Sequence, residues 1–207
     1  MIITDIVQNK SNDKFSVFVD DEFAFSLAKS DIVFFKLDVG EEISEKKFKY
    51  IYDEAIMTKA KNRAAKFLGA SKKPEKAVRD KLTESGFDED VCEKVIDELK
   101  KYGYVDDYDY ALSYINDRVR LNPRSAYAIR MELRQKGVKD SVITEALEEA
   151  DIDETGGIKR LIEKKTGGDL DLDEKEKKRL IDFLLRRGYS YGKIKEAINH
   201  FYDDFEE

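Results

Sequence analysis

Apolar positions along this chain recur at helical spacing and again at a much longer fixed period. Gly86, Gly137 and Gly188 stand 51 residues apart, and each closes a helix-like segment. Four residues before them lie Leu82, Leu133 and Leu184, and four before those Val78, Ile129 and Leu180. Directly after come Phe87, Val138 and Tyr189, followed by the columns Cys92/Ile143/Ile194, Val95/Ala146/Ala197 and Ile96/Leu147/Ile198. A fixed period of this kind is the mark of tandem supersecondary units, each too small to bury its apolar face alone. The predicted fold is mainly α: three tandem three-helix repeats in an elongated curved array, preceded by a small N-terminal antiparallel β region.

The first fifty residues follow a different rule. Ile2–Val7 is β-rich, Asn9 to Lys14 supplies turn chemistry, Phe15–Val19 is a second β run, and Phe23–Leu27 alternates with period two after the acidic link Asp20–Glu22. So small a sheet needs something to pack on, and the helix around Phe48 to Ile56, entered through a turn at Asp38–Glu42, is the expected support. From Thr58 the period is helical. Ala60, Ala64, Phe67 and Leu68 form one face of a helix that stops at Gly69. Pro74 suits the first turn of the next helix, which ends at Gly86, and Asp88 offers an N-cap for a third that runs through Leu99 to Gly103. The second unit predicts helices over 108–121, 124–136 and 140–150, and the third over 157–165, 174–187 and 190–202. The expected divisions are 1–56 (β-rich region with one helix), 57–105, 106–152 and 153–207.

Composition agrees with small units that have much surface: 41% of residues are hydrophobic and 40% charged. The single cysteine, Cys92, occupies a column of isoleucines, which marks it as a small core residue, and the lack of a cysteine framework fits a reducing interior. MIITDIVQNK has no basic region leading into an apolar run, and no stretch approaches membrane-spanning length, so a cytoplasmic protein is expected.

The net charge of −7 argues against a protein that coats nucleic acid, but its distribution is uneven. Residues 118–139 contain seven basic side chains against one acid, Glu132, and residues 59–81 contain nine against Glu75 and Asp80. The third helices are acidic, and acids at a helix start also suit the positive end of its dipole. No enzyme constellation is visible: His200 is the only histidine, and there is no Cys-x-x-Cys, phosphate loop or nucleophile elbow. Asp169, Asp171 and Asp173 lack the glycine and glutamate that a calcium loop requires. Neither catalysis, nor a metal, nor another cofactor is expected.

The basic positions are the candidates for binding: Lys72, Lys73, Arg79, Arg118, Arg120, Arg124, Arg130, Arg134, Lys136, Arg186 and Arg187. Guanidinium groups on helices meet phosphates or carboxylates bidentately, yet the same residues also serve as a solvated face. Tyr102, Tyr104, Tyr108, Tyr110, Tyr114 and Tyr127 could stack on bases or pack between helices with the hydroxyl at the edge. Asp106 and Asp107 most simply cap the helix that follows. One column breaks pattern, with Ile181 standing where the earlier repeats have Arg79 and Arg130.

Glu132-Leu133-Arg134-Gln135-Lys136-Gly137-Val138, the preceding Pro123-Arg124, and Gly103-Tyr104-Val105-Asp106-Asp107 followed by Ala111 resemble the signature of the RecX family. Lys81-Leu82 with Gly86-Phe87-Asp88 resembles that family's first repeat, and the front region resembles the N-terminal extension of its longer members. The resemblance implies a monomeric, non-catalytic regulator of the RecA recombinase. It would lie in the groove of the RecA–single-stranded DNA filament and restrain ATP hydrolysis, strand exchange and co-protease activity in repair and the SOS response. A weak contact with single- or double-stranded DNA could accompany this. The other reading of the basic segments is a helical repeat protein that binds DNA directly.

Overall fold

A computed structural model describes residues 1–10, 14–69, 71–168 and 172–203, with side chains through Asn199. Part of the expected turn at Asn9 to Lys14, Asp169 and Asp171, and the side chain of His200 lie outside the described residues. Two compact units are present, Met1–Asp106 and Asp107–Glu207.

The first unit opens with strands β1 (Ile3–Gln8), β2 (Lys14–Val19) and β3 (Glu22–Ala28). They form an antiparallel sheet in sequence order, with Ile3 opposite Val19 and Lys14 opposite Ala28. Alternation buries Val17 and Val19 of β2, and Ile3, Phe25 and Leu27 join them on the covered face. The sheet rests on the helix expected to support it, with the Phe25 and Phe48 rings 5.2 Å apart, and it also reaches the first repeat. Lys14 donates to the carbonyl of Gly86 at 2.5 Å, and Ser26 donates through its amide and its hydroxyl to Asp88, each at 3.2 Å.

Those bonds correct one expectation. Asp88 does stand at the N-cap position, but its carboxylate makes no capping bond, because it is turned toward β3. A short helix, α1 (Lys29–Phe35), follows β3 without a sequence signal, since its N-cap is Ala28 with no side-chain bond. Then come α2 (Glu45–Tyr50), a π-helical stretch (Ile51–Met57) and α3 (Thr58–Leu68). The residues at both joins are right-handed helical, so these three run on as one rod, which is consistent with the absence of glycine and proline between 45 and 68.

The remaining helices are α4 (Glu75–Glu84) and α5 (Glu89–Lys101), then α6 (Asp107–Leu121), α7 (Ala126–Gln135) and α8 (Asp140–Ala150), and finally α9 (Glu154–Thr166), α10 (Glu174–Leu185) and α11 (Tyr191–Asp203). Pro74 sits just before the first turn of α4 rather than within it. Arg124 likewise precedes α7, which is capped by Ser125 accepting from the Ala128 amide. The third unit's first helix starts before Gly157, because the Asp153 carboxylate accepts from the Gly156 amide and sets the N-terminus there. Asp173 and Glu176 make a reciprocal capping box on α10.

The 51-residue columns are the core. Leu82, Leu133, Leu184, Cys92, Ile143, Ile194, Val95, Ala146 and Ala197 are all fully buried. The glycines at the head of each column have left-handed φ (75°, 86° and 89°), and their amides bond back to Thr83, Arg134 and Leu185 at 2.8–2.9 Å. Burial raises the Cys92 thiol above its ordinary range, in keeping with an inert core position. Apolar packing falls into three separate clusters. One joins the sheet to the first repeat, one is centred on Ile115, Ile129 and Leu133, and one on Ile158, Leu184 and Ile194.

Candidate functional site

Glu132, the one acid of the basic stretch, gathers two of its arginines, Arg118 and Arg124. Arg118 donates through Nε to Glu132 Oε2 at 2.8 Å, Tyr114 donates its hydroxyl to the same oxygen at 2.6 Å, and Arg124 Nη1 lies 3.1 Å from the other oxygen. The Arg118 guanidinium covers the Tyr114 ring at 4.7 Å and Lys136 Nζ lies 5.3 Å from the same ring. Burial pushes the Glu132 carboxyl up, but the bonds from Tyr114 and Arg118 and the charges of Arg118 and Arg124 outweigh it, so the group is held below its usual range. Arg124 Nε is buried with no partner among the described residues.

A second pairing recurs between repeats. Arg134 donates to Asp140 at 2.5 Å, with Arg130 3.9 Å from the same oxygen and bonded to Thr144 at 2.9 Å. Arg79, in the column of Arg130, pairs with Glu89, in the column of Asp140, and with Glu75. In the third repeat these two positions are Ile181 and Tyr191. Both line an apolar hollow with Leu172, Leu180, Ile194 and Ile198, so the broken column corresponds to a lost ion pair. Lys73 bonds Ser71 at 2.8 Å and lies over Phe67, while Lys72 is exposed beside it.

Of the remaining candidates, Arg120 and Arg187 belong to the junction of the second and third repeats. Arg186 is exposed at the end of α10. The Arg187 guanidinium bonds the side-chain carbonyl of Asn122 and the carbonyl of Pro123 and lies 4.6 Å from the Phe183 ring. The Ser125 amide donates to the Arg187 carbonyl at 3.2 Å, and the Ala126 amide donates to Glu154 at 2.6 Å. Beside this junction opens a cavity of about 410 Å³ whose charged lining is entirely basic: Arg120, Arg160, Lys164, Lys165 and Arg187. Leu121, Pro123, Leu161 and Phe183 also line it, with Lys165 and Arg187 lying against the Phe183 ring. Arg120 faces Asp117 at 3.8 Å; the other four cations have no carboxylate within ion-pair distance among the described residues.

Arg160, Lys164 and Lys165 are not among the positions that charge density singled out, because Glu154 and Glu163 dilute the stretch around them. Their spacing carried a signal, since Arg160 and Lys164 are like charges at i and i+4. The tyrosines divide. Tyr108, Tyr110 and Tyr114 pack against the second repeat's core, whereas Tyr102, Tyr104 and Tyr127 are exposed. Among the described residues no cluster of three potential metal ligands occurs, and no helix is long and apolar enough to cross a membrane.

Comparison with known proteins matches the chain in four consecutive parts. Residues 1–44 match the regulatory protein RecX N-terminal domain, and residues 60–99, 106–147 and 157–198 match the first, second and third three-helix domains of RecX. The chain is 35% identical to the regulatory protein RecX of Clostridioides difficile (strain 630), over 96% of this chain and 94% of that one. It is 33% identical to that of Clostridium botulinum (strain Eklund 17B / Type B), over 93% and 92%. Among solved structures it is similar to a crystal structure of regulatory protein RecX (TM-score 0.62, 26% identity, 94% of this chain and 98% of that one). It is also similar to that of RecX from Lactobacillus salivarius (TM-score 0.62, 25% identity, 70% and 96%).

Proposed function

The chain belongs to the RecX family, and from that footing we propose that it is a cytoplasmic, non-catalytic modulator that binds the RecA–single-stranded DNA filament as a monomer and lowers its ATPase, strand-exchange and co-protease activities. The observation that carries this reading is that the front region and all three helical domains match the family in order along the chain. The units 57–105, 106–152 and 153–207 would then engage neighbouring subunits of the filament. Many modest contacts on a polymer give an avidity that a lone subunit cannot, so filament would be favoured over free recombinase. Charge supports the same reading. Arg118 and Arg124 are held about Glu132, and Arg130 and Arg134 about Asp140, in fixed arrays at the protein surface. Such arrays set approach and register against a charged partner more than raw affinity.

The test is ATP turnover and strand exchange by RecA on single-stranded DNA with increasing amounts of this protein. Both rates are expected to fall. Unchanged rates with the protein demonstrably bound along the filament, or no binding at all, would remove the claim.

A further inference from the structure

We propose that the basic cavity beside the junction of the second and third repeats is a binding site for one nucleotide unit of single-stranded nucleic acid. Three features of the cavity point there. Its charged lining is wholly cationic, and Arg160 and Lys164, one turn apart on α9, repel each other with no carboxylate to offset them among the described residues. Such a pair lowers stability unless an anion sits between the two. Next, Arg187 is set in place before any ligand arrives: Asn122 and the Pro123 carbonyl hold its guanidinium, and Phe183 lies against it. A guanidinium fixed in this way keeps donors and a flat face ready at low entropic cost.

The third feature selects among anions. The uncharged lining is largely apolar, with Leu121, Pro123, Leu161 and Phe183; Lys165 and Arg187 lie against the Phe183 ring, and Leu121 is two-thirds exposed at 67%. A bare phosphate or a carboxylate side chain has no use for those apolar groups. A nucleotide has a phosphate for Arg160 and Lys164 and a flat, weakly polar base for Leu121 and its apolar neighbours. The volume, about 410 Å³, lies within the range of sites for small molecules of that size. The site takes Arg120 from the Arg118 to Lys139 stretch but none of the guanidiniums committed there to Glu132 and Asp140. It does not rest on the filament reading.

The experiment measures fluorescence anisotropy of a labelled oligothymidylate with the full chain and no recombinase, across a series of salt concentrations. The variant is Arg160→Glu with Lys164→Glu, and the control of equal charge change is Lys46→Glu with Lys49→Glu on α2. Circular dichroism checks that both remain folded. The unmodified chain and the control are expected to bind alike. The cavity variant is expected to bind at least tenfold more weakly, with a salt slope reduced by about 1–2. Equal binding by the cavity variant and the unmodified chain would overturn the proposal. So would displacement of the strand by polyglutamate at matched charge, which would reassign the cavity to acidic protein. Displacement by free thymidine monophosphate as effective per nucleotide as by the strand would assign it to soluble nucleotide instead. Because recombinase is absent, none of these outcomes bears on filament binding, and a failed filament assay leaves this site standing.

Discussion

Gly188 lies directly against Ala128: a β-carbon added at 188 would stand 2.6 Å from the β-carbon of Ala128 and 2.5 Å from the hydroxyl of Ser125. The residue is thus needed twice, for its left-handed φ of 89° and for the approach of the third repeat to the start of α7. Gly188→Ala should lower stability by about 2–4 kcal/mol, combining backbone strain with overpacking. Gly40→Ala is the comparison, because Gly40 has the same sign of φ but nothing within 4 Å of the added carbon. It should cost only about 1–2 kcal/mol. Equal losses in urea denaturation would show that the close approach contributes nothing.

Leu133 is fully buried at the centre of the second repeat. Leu133→Ala should leave a cavity and cost about 2–5 kcal/mol. Arg134 is its chain neighbour but pairs with Asp140 at the surface, and Arg134→Ala should leave stability nearly unchanged, since water screens an exposed pair. Denaturant midpoints of the two variants separate packing from surface charge at adjacent positions.

Glu132 gives a pH dependence of known sign. Its folded carboxyl is held below the ordinary range, so its contribution is complete above the unfolded value of about 4.3 and is lost as pH falls through the folded value. Glu132→Gln should cost roughly 1–3 kcal/mol at neutral pH, since Arg118 and Arg124 lose their shared anion. It should also flatten the decline of stability below about pH 4.3. Melting temperatures of both proteins across the acid range check this; parallel curves would contradict it.

Tyr189 has the opposite sign. Burial, aided by Glu154, raises its hydroxyl to about 12. Its stabilising contribution is therefore full below the unfolded value of about 10 and disappears as pH climbs through the folded one. Tyr189→Phe should resist alkaline unfolding between about pH 10 and 12 better than the unmodified chain. Tyrosinate absorbance, followed together with helical circular dichroism, reads both events.

Much of this was legible in the chain because the repeat puts the same demand on the same column three times. A position that is apolar at 82, 133 and 184 can hardly be anything but core, and all three are fully buried. The glycines were equally readable, since a left-handed residue that ends a helix has few alternatives to glycine. Asp88 misled because an acid before a helix is a capping signal locally, while its actual partner, Ser26, lies 62 residues away. The α1 helix has no side-chain cap to announce it in the sequence. The binding candidates were the least legible. Charge density finds cations but not their partners, and it ranked the paired Arg118 and Arg134 above Arg160 and Lys164, which have no carboxylate within ion-pair distance among the described residues.

The separation of the apolar packing into three clusters sets how this protein comes apart. Heat or denaturant need not release it all at once. Each cluster can fail at its own threshold, so a single melting midpoint would average distinct events. Amide exchange read repeat by repeat should show levels of protection that differ from one cluster to the next.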